Sequence, residues 1–215
     1  MDLKTPLKDT WEIIPGKTAL VIVDMQRAFV EEGGPLPVQG SRELVPKFNE
    51  LARICRGLRI PVIFIRMTGR ADLSDIGLRK DMRPPQLDNE LEVLEGRKGV
   101  DFCDGLDVTQ DDYVVSKIRY SAFIPGSSNL ELLLRGLDRD RFIICGVCTD
   151  ICVAATTMDA MMLGFKVFFV GDLTATLSDE RQRISLEVLD RHFSKVMTYE
   201  QIMKELQLLA GGKGR

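Results

Sequence analysis

Three places in the chain carry residue types that could do chemistry. Cys145, Cys148 and Cys152 fall in one short stretch, Cys145-Gly-Val-Cys148-Thr-Asp-Ile-Cys152, at the start of a helical pattern. Asp24 closes the apolar run Ala19–Val23, and Lys117 follows Val114-Val115-Ser116. If Thr149 caps the helix, Cys152 lies in its first turn, where free N–H groups and the helix dipole lower a thiol pKa and favour a nucleophilic thiolate. An aspartate ending an apolar strand has a raised pKa suited to proton transfer. A lysine beside both would hold each in its charged form. Together they support one route. Asp24 takes the thiol proton, Cys152 attacks a carbonyl, and backbone N–H groups of the turn receive the oxyanion. The leaving nitrogen is then protonated and water releases the acyl group. Each residue also has a plainer reading: an inert core cysteine, a turn aspartate, a solvated strand-end lysine.

His192 is the single histidine among 215 residues. Multi-histidine zinc sites are therefore excluded, and any Ser-His or Cys-His catalysis would have to run through it. It sits late in a helical pattern, where a surface or capping role is expected. The C-x2-C-x3-C spacing invites a metal, but Cys145 lies within a buried strand and no fourth ligand is visible, so neither metal nor cofactor is expected. A structural disulfide is not expected in the cytosol, while oxidation could join Cys148 to Cys152 and inactivate the site. Gly33-Gly34-Pro35 lacks the spacing of a nucleotide loop and reads as a turn.

The elements that must position these residues are legible in the apolar pattern. Ala19–Val23, Val62–Ile65, Tyr113–Val115, Phe142–Cys145, Val167–Val170 and Val196–Met197 read as strands buried on both faces. Helices are expected from Ser41 to Gly57, with Val45, Phe48, Leu51, Ala52 and Cys55 on one face, and from Ser128 to Arg135. Others should start at Thr149, with Ala154, Ala155, Met158 and Met162 inward, and run from Ser178 to near His192. The last opens on the capping box Thr198-Tyr-Glu-Gln201 and reaches about Leu209. The Met158, Met161, Met162 group reads as core or subunit interface. Such alternation gives a single α/β domain over residues 1–215, a mostly parallel sheet with helices on both faces. Residues 69–112, with Arg83-Pro84-Pro85, are too irregular for an ordinary connection and suggest a lid or oligomer contact, and 211–215 read as a frayed tail.

Net charge −3 argues against nucleic-acid or polybasic membrane partners. Met1–Lys17 lacks the apolar stretch of a signal peptide, and no run is long enough to span a bilayer, so a cytoplasmic location is expected. Open α/β sheets bind ligands at the carboxyl ends of their strands, where Asp24, Lys117 and the Gly146–Cys152 segment all fall.

At these residues the chain resembles the isochorismatase-like cysteine hydrolase superfamily. The resemblance rests on Ala19-Leu-Val-Ile-Val-Asp24-Met-Gln26, Lys117-Ile-Arg-Tyr-Ser-Ala-Phe123 and Gly146-Val-Cys-Thr-Asp-Ile-Cys152-Val, and covers about Lys17 to Leu206. It implies a Rossmann-like fold of about six strands and a triad of Asp24, Lys117 and Cys152. It also implies a cis Val147–Cys148 peptide, an oxyanion hole from the N–H groups of Cys148 and Cys152, and a homodimer or homotetramer. Nicotinamidases of this superfamily carry an Asp and two His as metal ligands after the second strand. Ile65-Arg-Met-Thr-Gly-Arg70 has no histidine, which disfavours that branch. Lys117–Phe123, and Asp172-Leu-Thr-Ala-Thr-Leu-Ser178 through Val196-Met-Thr, look most like isochorismatases, which cleave a vinyl ether but typically have glycine at the position of Cys152. A retained thiol favours hydrolysis of a small linear amide, ureide or carbamoyl compound. Gln26, Phe29, Arg66, Arg70, Arg119 and Tyr120 are candidate substrate contacts, the arginines for a carboxylate. The alternatives are vinyl ether hydrolysis with Asp24 as acid, and a non-catalytic interaction protein on the same fold.

Overall fold

The computed structural model describes residues 6–82 and 92–211. Six strands form one sheet: β1 (Thr18–Val23), β2 (Val62–Met67), β3 (Tyr113–Lys117), β4 (Arg141–Val147), β5 (Lys166–Ala175) and β6 (Lys195–Met197). Their order is β3-β2-β1-β4-β5-β6, and every neighbouring pair is parallel. β1 and β4 are buried at every position, as their continuous apolar runs require. β3 departs from expectation. It is an edge strand with Tyr113 and Val114 exposed, so only Val115 and Lys117 turn inward.

The helices are α1 (Arg27–Val30), α2 (Val45–Gly57), α3 (Leu130–Gly136), α4 (Ala154–Met162), α5 (Asp179–His192) and α6 (Tyr199–Gly211). On α2 the five residues of the expected apolar face are all buried. Its start differs, because Ser41 makes no side-chain cap; a 3-10 turn, Arg42–Leu44, leads into the helix and Pro46 occupies its first turn. Ser178 does cap α5, its side chain accepting from the Arg181 N–H. The capping box of α6 forms in both directions. The Thr198 N–H donates to Gln201 Oε1 at 2.8 Å, and the Gln201 N–H donates to Thr198 Oγ1 at 3.2 Å.

The buried face of α4 is made of Ala154, Thr156, Thr157 and Ala160. Met158 is half-buried and packs against the core, whereas Met162 is exposed and so is not a core residue. His192 ends α5 on the surface, beside the Phe193 ring. Arg83-Pro84-Pro85 and residues 212–215 lie outside the described residues. Among the described residues no helix is long and apolar enough to cross a membrane.

The chain reverses its direction of winding between β1 and β4, which opens a crevice at their carboxyl ends. The two strands approach very closely there. Gly146 pairs with Val23 and has φ +122°, and a Cβ on it would lie 2.1 Å from the Val23 carbonyl oxygen. Only glycine fits both the conformation and the gap. Gly146→Ala is therefore expected to lower stability by about 2–4 kcal/mol in denaturant titration. A loss below about 0.5 kcal/mol, the range of ordinary surface changes, would contradict this account of the crevice.

Candidate active site

Asp24 is the residue immediately after β1. Its N–H donates to the Ile65 carbonyl at 2.9 Å, its own carbonyl accepts from the Gln26 N–H at 2.7 Å, and its φ is +53°. Aspartate is among the few residues that tolerate this left-handed conformation, which turns the chain sharply off the strand. The carboxyl group ends fully buried.

Lys117 closes β3, two strands away from β1 and paired with Met67 on β2. At about 4.8 Å per strand, a short side chain could not bridge that gap, and the four-carbon stem of lysine can. Its Nζ donates to Asp24 Oδ2 at 2.8 Å and to the Arg119 carbonyl at 3.2 Å, with both side chains buried. Burial works against the Lys117 charge, but the Asp24 carboxylate, with the Cys152 sulfur adding to it where ionised, outweighs burial and raises the ammonium pKa above its ordinary value. Among the described residues no conventional donor reaches the buried Asp24 Oδ1, and the carboxylate acts on the Cys152 thiol beside it.

Cys152 reaches the same point from β4. The Val147–Cys148 peptide is cis, and Thr149–Val153 forms a π-helical turn that continues into α4. Here sequence reasoning placed the cap wrongly. Cys148, in extended conformation, is the N-cap, and Thr149 is the first residue of the turn. The Thr149 hydroxyl donates instead to Gln182 Oε1 at 2.6 Å, and Gln182 Nε2 donates to the Gly171 carbonyl at 3.0 Å and to Thr174 Oγ1 at 3.1 Å. Asp150 accepts from the Thr176 hydroxyl and from Arg181 Nε. The cysteine-bearing turn is thus tied to α5 and to the end of β5.

The expected lowering of the Cys152 thiol is also corrected. Burial pushes it well above its ordinary value; Lys117 pulls the other way, and Asp24 adds to the rise. Desolvation of a thiolate outweighs the helix start. The resting group is a thiol beside a carboxylate and an ammonium. Cys148, also burial-dominated, is raised to about 12. The Cys55 and Cys145 thiols are likewise raised, and both are fully buried. All five cysteines are free.

A cavity of about 220 Å³ opens onto Asp24, Cys148 and Cys152. Its walls are largely apolar, with Ala28, Phe29, Leu36, Met67, Val93 and Ile151, and Tyr120 stands at its edge. Of the six candidate substrate contacts, Phe29 and Tyr120 line it. Gln26 does not. Its amide bonds the Met67 carbonyl and N–H and the Val100 carbonyl, tying β1 to β2 and to the segment after the second strand. Arg66 turns to Ser116 Oγ, Arg70 pairs with Asp72 in solvent, and Arg119 donates to the Asp75 and Ile118 carbonyls. The arginine that does line the cavity is Arg79, from the 3-10 turn Gly77–Met82, and Glu92 joins it. Both lie in the irregular stretch between β2 and β3, where no periodicity gives a side chain's direction. Among the described residues no group of three or more His, Cys, Asp or Glu could hold a metal ion.

Comparison with known proteins places the chain in a family. Residues 18–201 match the isochorismatase domain family. The chain is 31% identical over 202 residues to an isochorismatase of Bacillus subtilis, a match covering 93% of this chain and 61% of that protein. It is 29% identical over 204 residues to the ureidoacrylate amidohydrolase RutB of Pseudomonas syringae pv. syringae, covering 86% and 82% of the two chains. The crystal structure of a cysteine hydrolase from Pseudomonas syringae pv. phaseolicola superposes with a TM-score of 0.87 at 29% identity, over 96% of this chain and all of that one. A family match across residues 18–201, with a structural neighbour superposing over 96% of the chain, establishes that the chain belongs to the isochorismatase family of hydrolases.

Proposed function

We propose that the protein is a cysteine-dependent amidohydrolase that cleaves a C–N bond of a small linear amide, ureide or carbamoyl compound through a thioester on Cys152. The observation that carries this reading is the position of the thiol, beside the buried Asp24–Lys117 pair at the floor of a cavity. A thiol with a raised pKa cannot act as a preformed thiolate near neutral pH, so the base must take its proton as the S–C bond forms. Asp24 is that base, with its carboxylate in side-chain contact with the Cys152 thiol and Oδ2 held by Lys117. As the carboxyl is protonated, Lys117 balances the developing thiolate.

The carbonyl oxygen gathers negative charge in the tetrahedral intermediate. The backbone N–H groups of Cys148 and Cys152, on either side of the turn between β4 and α4, are the donors for it. Collapse of the intermediate breaks the C–N bond, and Asp24 returns the proton to the leaving nitrogen. A water then enters, is deprotonated by Asp24 and attacks the thioester, which frees the acid and restores the thiol. Each step moves one proton between Asp24 and a reacting atom, so no histidine is used. The similarity to the ureidoacrylate amidohydrolase supports C–N chemistry of this kind.

The similarity to the Bacillus subtilis isochorismatase favours a second reading, in which Asp24 protonates a vinyl ether and Cys152 is a bystander. The two separate on one variant. In the amidohydrolase, Cys152→Ala lowers kcat/KM for ammonia release from ureido acids, carbamoyl amino acids or simple amides by about a thousandfold or more, the scale of losing a covalent nucleophile. An undiminished Cys152→Ala enzyme that still cleaves vinyl ethers would support the second reading. The raised thiol pKa gives a further expectation. Iodoacetamide labelling of Cys152, read by peptide mass, should keep accelerating as pH rises past about 9, above the ordinary thiol range. A rate that levels off near pH 7 would show a thiolate already present and contradict the proposed role of Asp24.

A further inference from the structure

We infer that the substrate is an uncharged amide or ureide carrying one compact apolar group, and that Phe29 and Leu36 set this preference. The assignment rests on the amidohydrolase reading above and narrows it to neutral compounds. Size and polarity of the cavity carry it. The volume is about 220 Å³, behind walls that are largely apolar. An apolar cavity of about 150 Å³ is enough to hold benzene, so a phenyl ring or branched alkyl group fits here with its carboxamide. The charges nearby are already in use. Lys117 is bound to Asp24, and Arg79 and Glu92 on the lining have partners of their own, Met67 Sδ among those of Arg79. A ligand carboxylate would lose its water and lie near the Asp24 carboxylate, with both cations held by other groups of the protein. An uncharged apolar group meets no such penalty and gains from leaving water.

The apolar wall is assembled from separate segments and held by backbone contacts. α1 buries Ala28 and Phe29. The chain after it folds back, so that the Leu36 N–H donates to the Ala28 carbonyl at 3.4 Å and the Val38 N–H to the Phe29 carbonyl at 2.8 Å. A Cβ on Gly34 would lie 2.5 Å from the Ala28 carbonyl oxygen, so glycine at that position allows the return. It brings Leu36 to the same lining as Phe29. Met67 ends β2, and Val93 is held by the Gly69 N–H, which donates to its carbonyl at 2.9 Å. Phe29, Met67 and Val93 are buried, whereas Leu36 is 42% exposed and forms part of the rim. A concave surface of this kind is completed by the apolar part of a ligand.

The test compares ammonia release from two matched pairs, each an acid and the neutral compound in which isopropyl replaces carboxylate. Succinamate is set against 4-methylpentanamide, and 3-ureidopropionate against isopentylurea. In each pair kcat/KM should be about a hundredfold or more higher for the neutral compound. Phe29→Ala should lower the ratio of 4-methylpentanamide to acetamide hydrolysis about tenfold. Leu36→Lys changes only a half-exposed side chain and puts a cation on the rim. It should raise each acid relative to its neutral partner about tenfold or more. Calorimetry with Cys152→Ala reads binding without turnover, and should show each neutral compound binding about tenfold or more tighter than its acid. Acids that bind and react as well as their neutral partners would overturn this inference and leave the thioester reading standing. Neutral compounds that neither bind nor react would do the same. Neutral compounds that bind to Cys152→Ala as expected but release no ammonia with the wild type would overturn the amidohydrolase reading, and the substrate assignment with it.

Discussion

An ammonium and a carboxylate, both removed from water and 2.8 Å apart, form the constraint around which the site is arranged. Taking either ion alone out of water costs several kcal/mol, so each is tolerable only with the other in place. The pair joins an edge strand to a central one across β2, and its geometry therefore depends on the whole carboxyl edge of the sheet being in register. That register is tight: Val23 meets Ile65 on one side and Gly146 on the other, with no room for a side chain at position 146. Strand packing fixes the charges and buries the thiol beside them, and burial outweighs the pull of Lys117 on it.

The thiol itself is set by competing effects of known sign. Burial and the Asp24 carboxylate favour the neutral form, and Lys117 favours the thiolate. The neutral form prevails at rest, so in the proposed mechanism reactivity comes from proton transfer during attack. A resting thiol is a poorer target for oxidants and electrophiles than a thiolate. In that mechanism one carboxylate does the work of an imidazole. An aspartate in contact with an ammonium can accept a proton directly from a neighbouring thiol when the product thiolate is stabilised by the same ammonium.

Much of this was legible in the amino-acid sequence, because the signals involved are local. Runs such as Ala19–Val23 and Phe142–Cys145 can only be strands buried on both faces, and the residues that end them fall at the ligand edge of a parallel sheet. The five buried residues of α2 and the capping box at Thr198 follow from periodicity and spacing in the same way. What was not legible depends on partners distant in sequence. Thr149 looks like a cap, yet Gln182, 33 residues later, takes its hydroxyl. Gln26 looks like a ligand contact, yet its amide ties β1 to β2 and to the loop at Val100. Arg66, Arg70 and Arg119 lie near the motifs in sequence but turn to other partners, while Arg79 reaches the cavity from a stretch whose direction no periodicity predicts.

The central claim is that the acyl group passes through a thioester on Cys152 and that water attacks only afterwards. Partitioning with hydroxylamine tests this most directly. A series of substrates sharing one acyl group but differing in the leaving amine is turned over in the presence of hydroxylamine, and the ratio of hydroxamate to acid is measured. A common acyl-enzyme forgets its leaving group, so the account predicts one ratio for the whole series. A ratio that changes with the leaving amine would mean that water or hydroxylamine attacks the bound substrate itself, and would contradict a covalent role for Cys152.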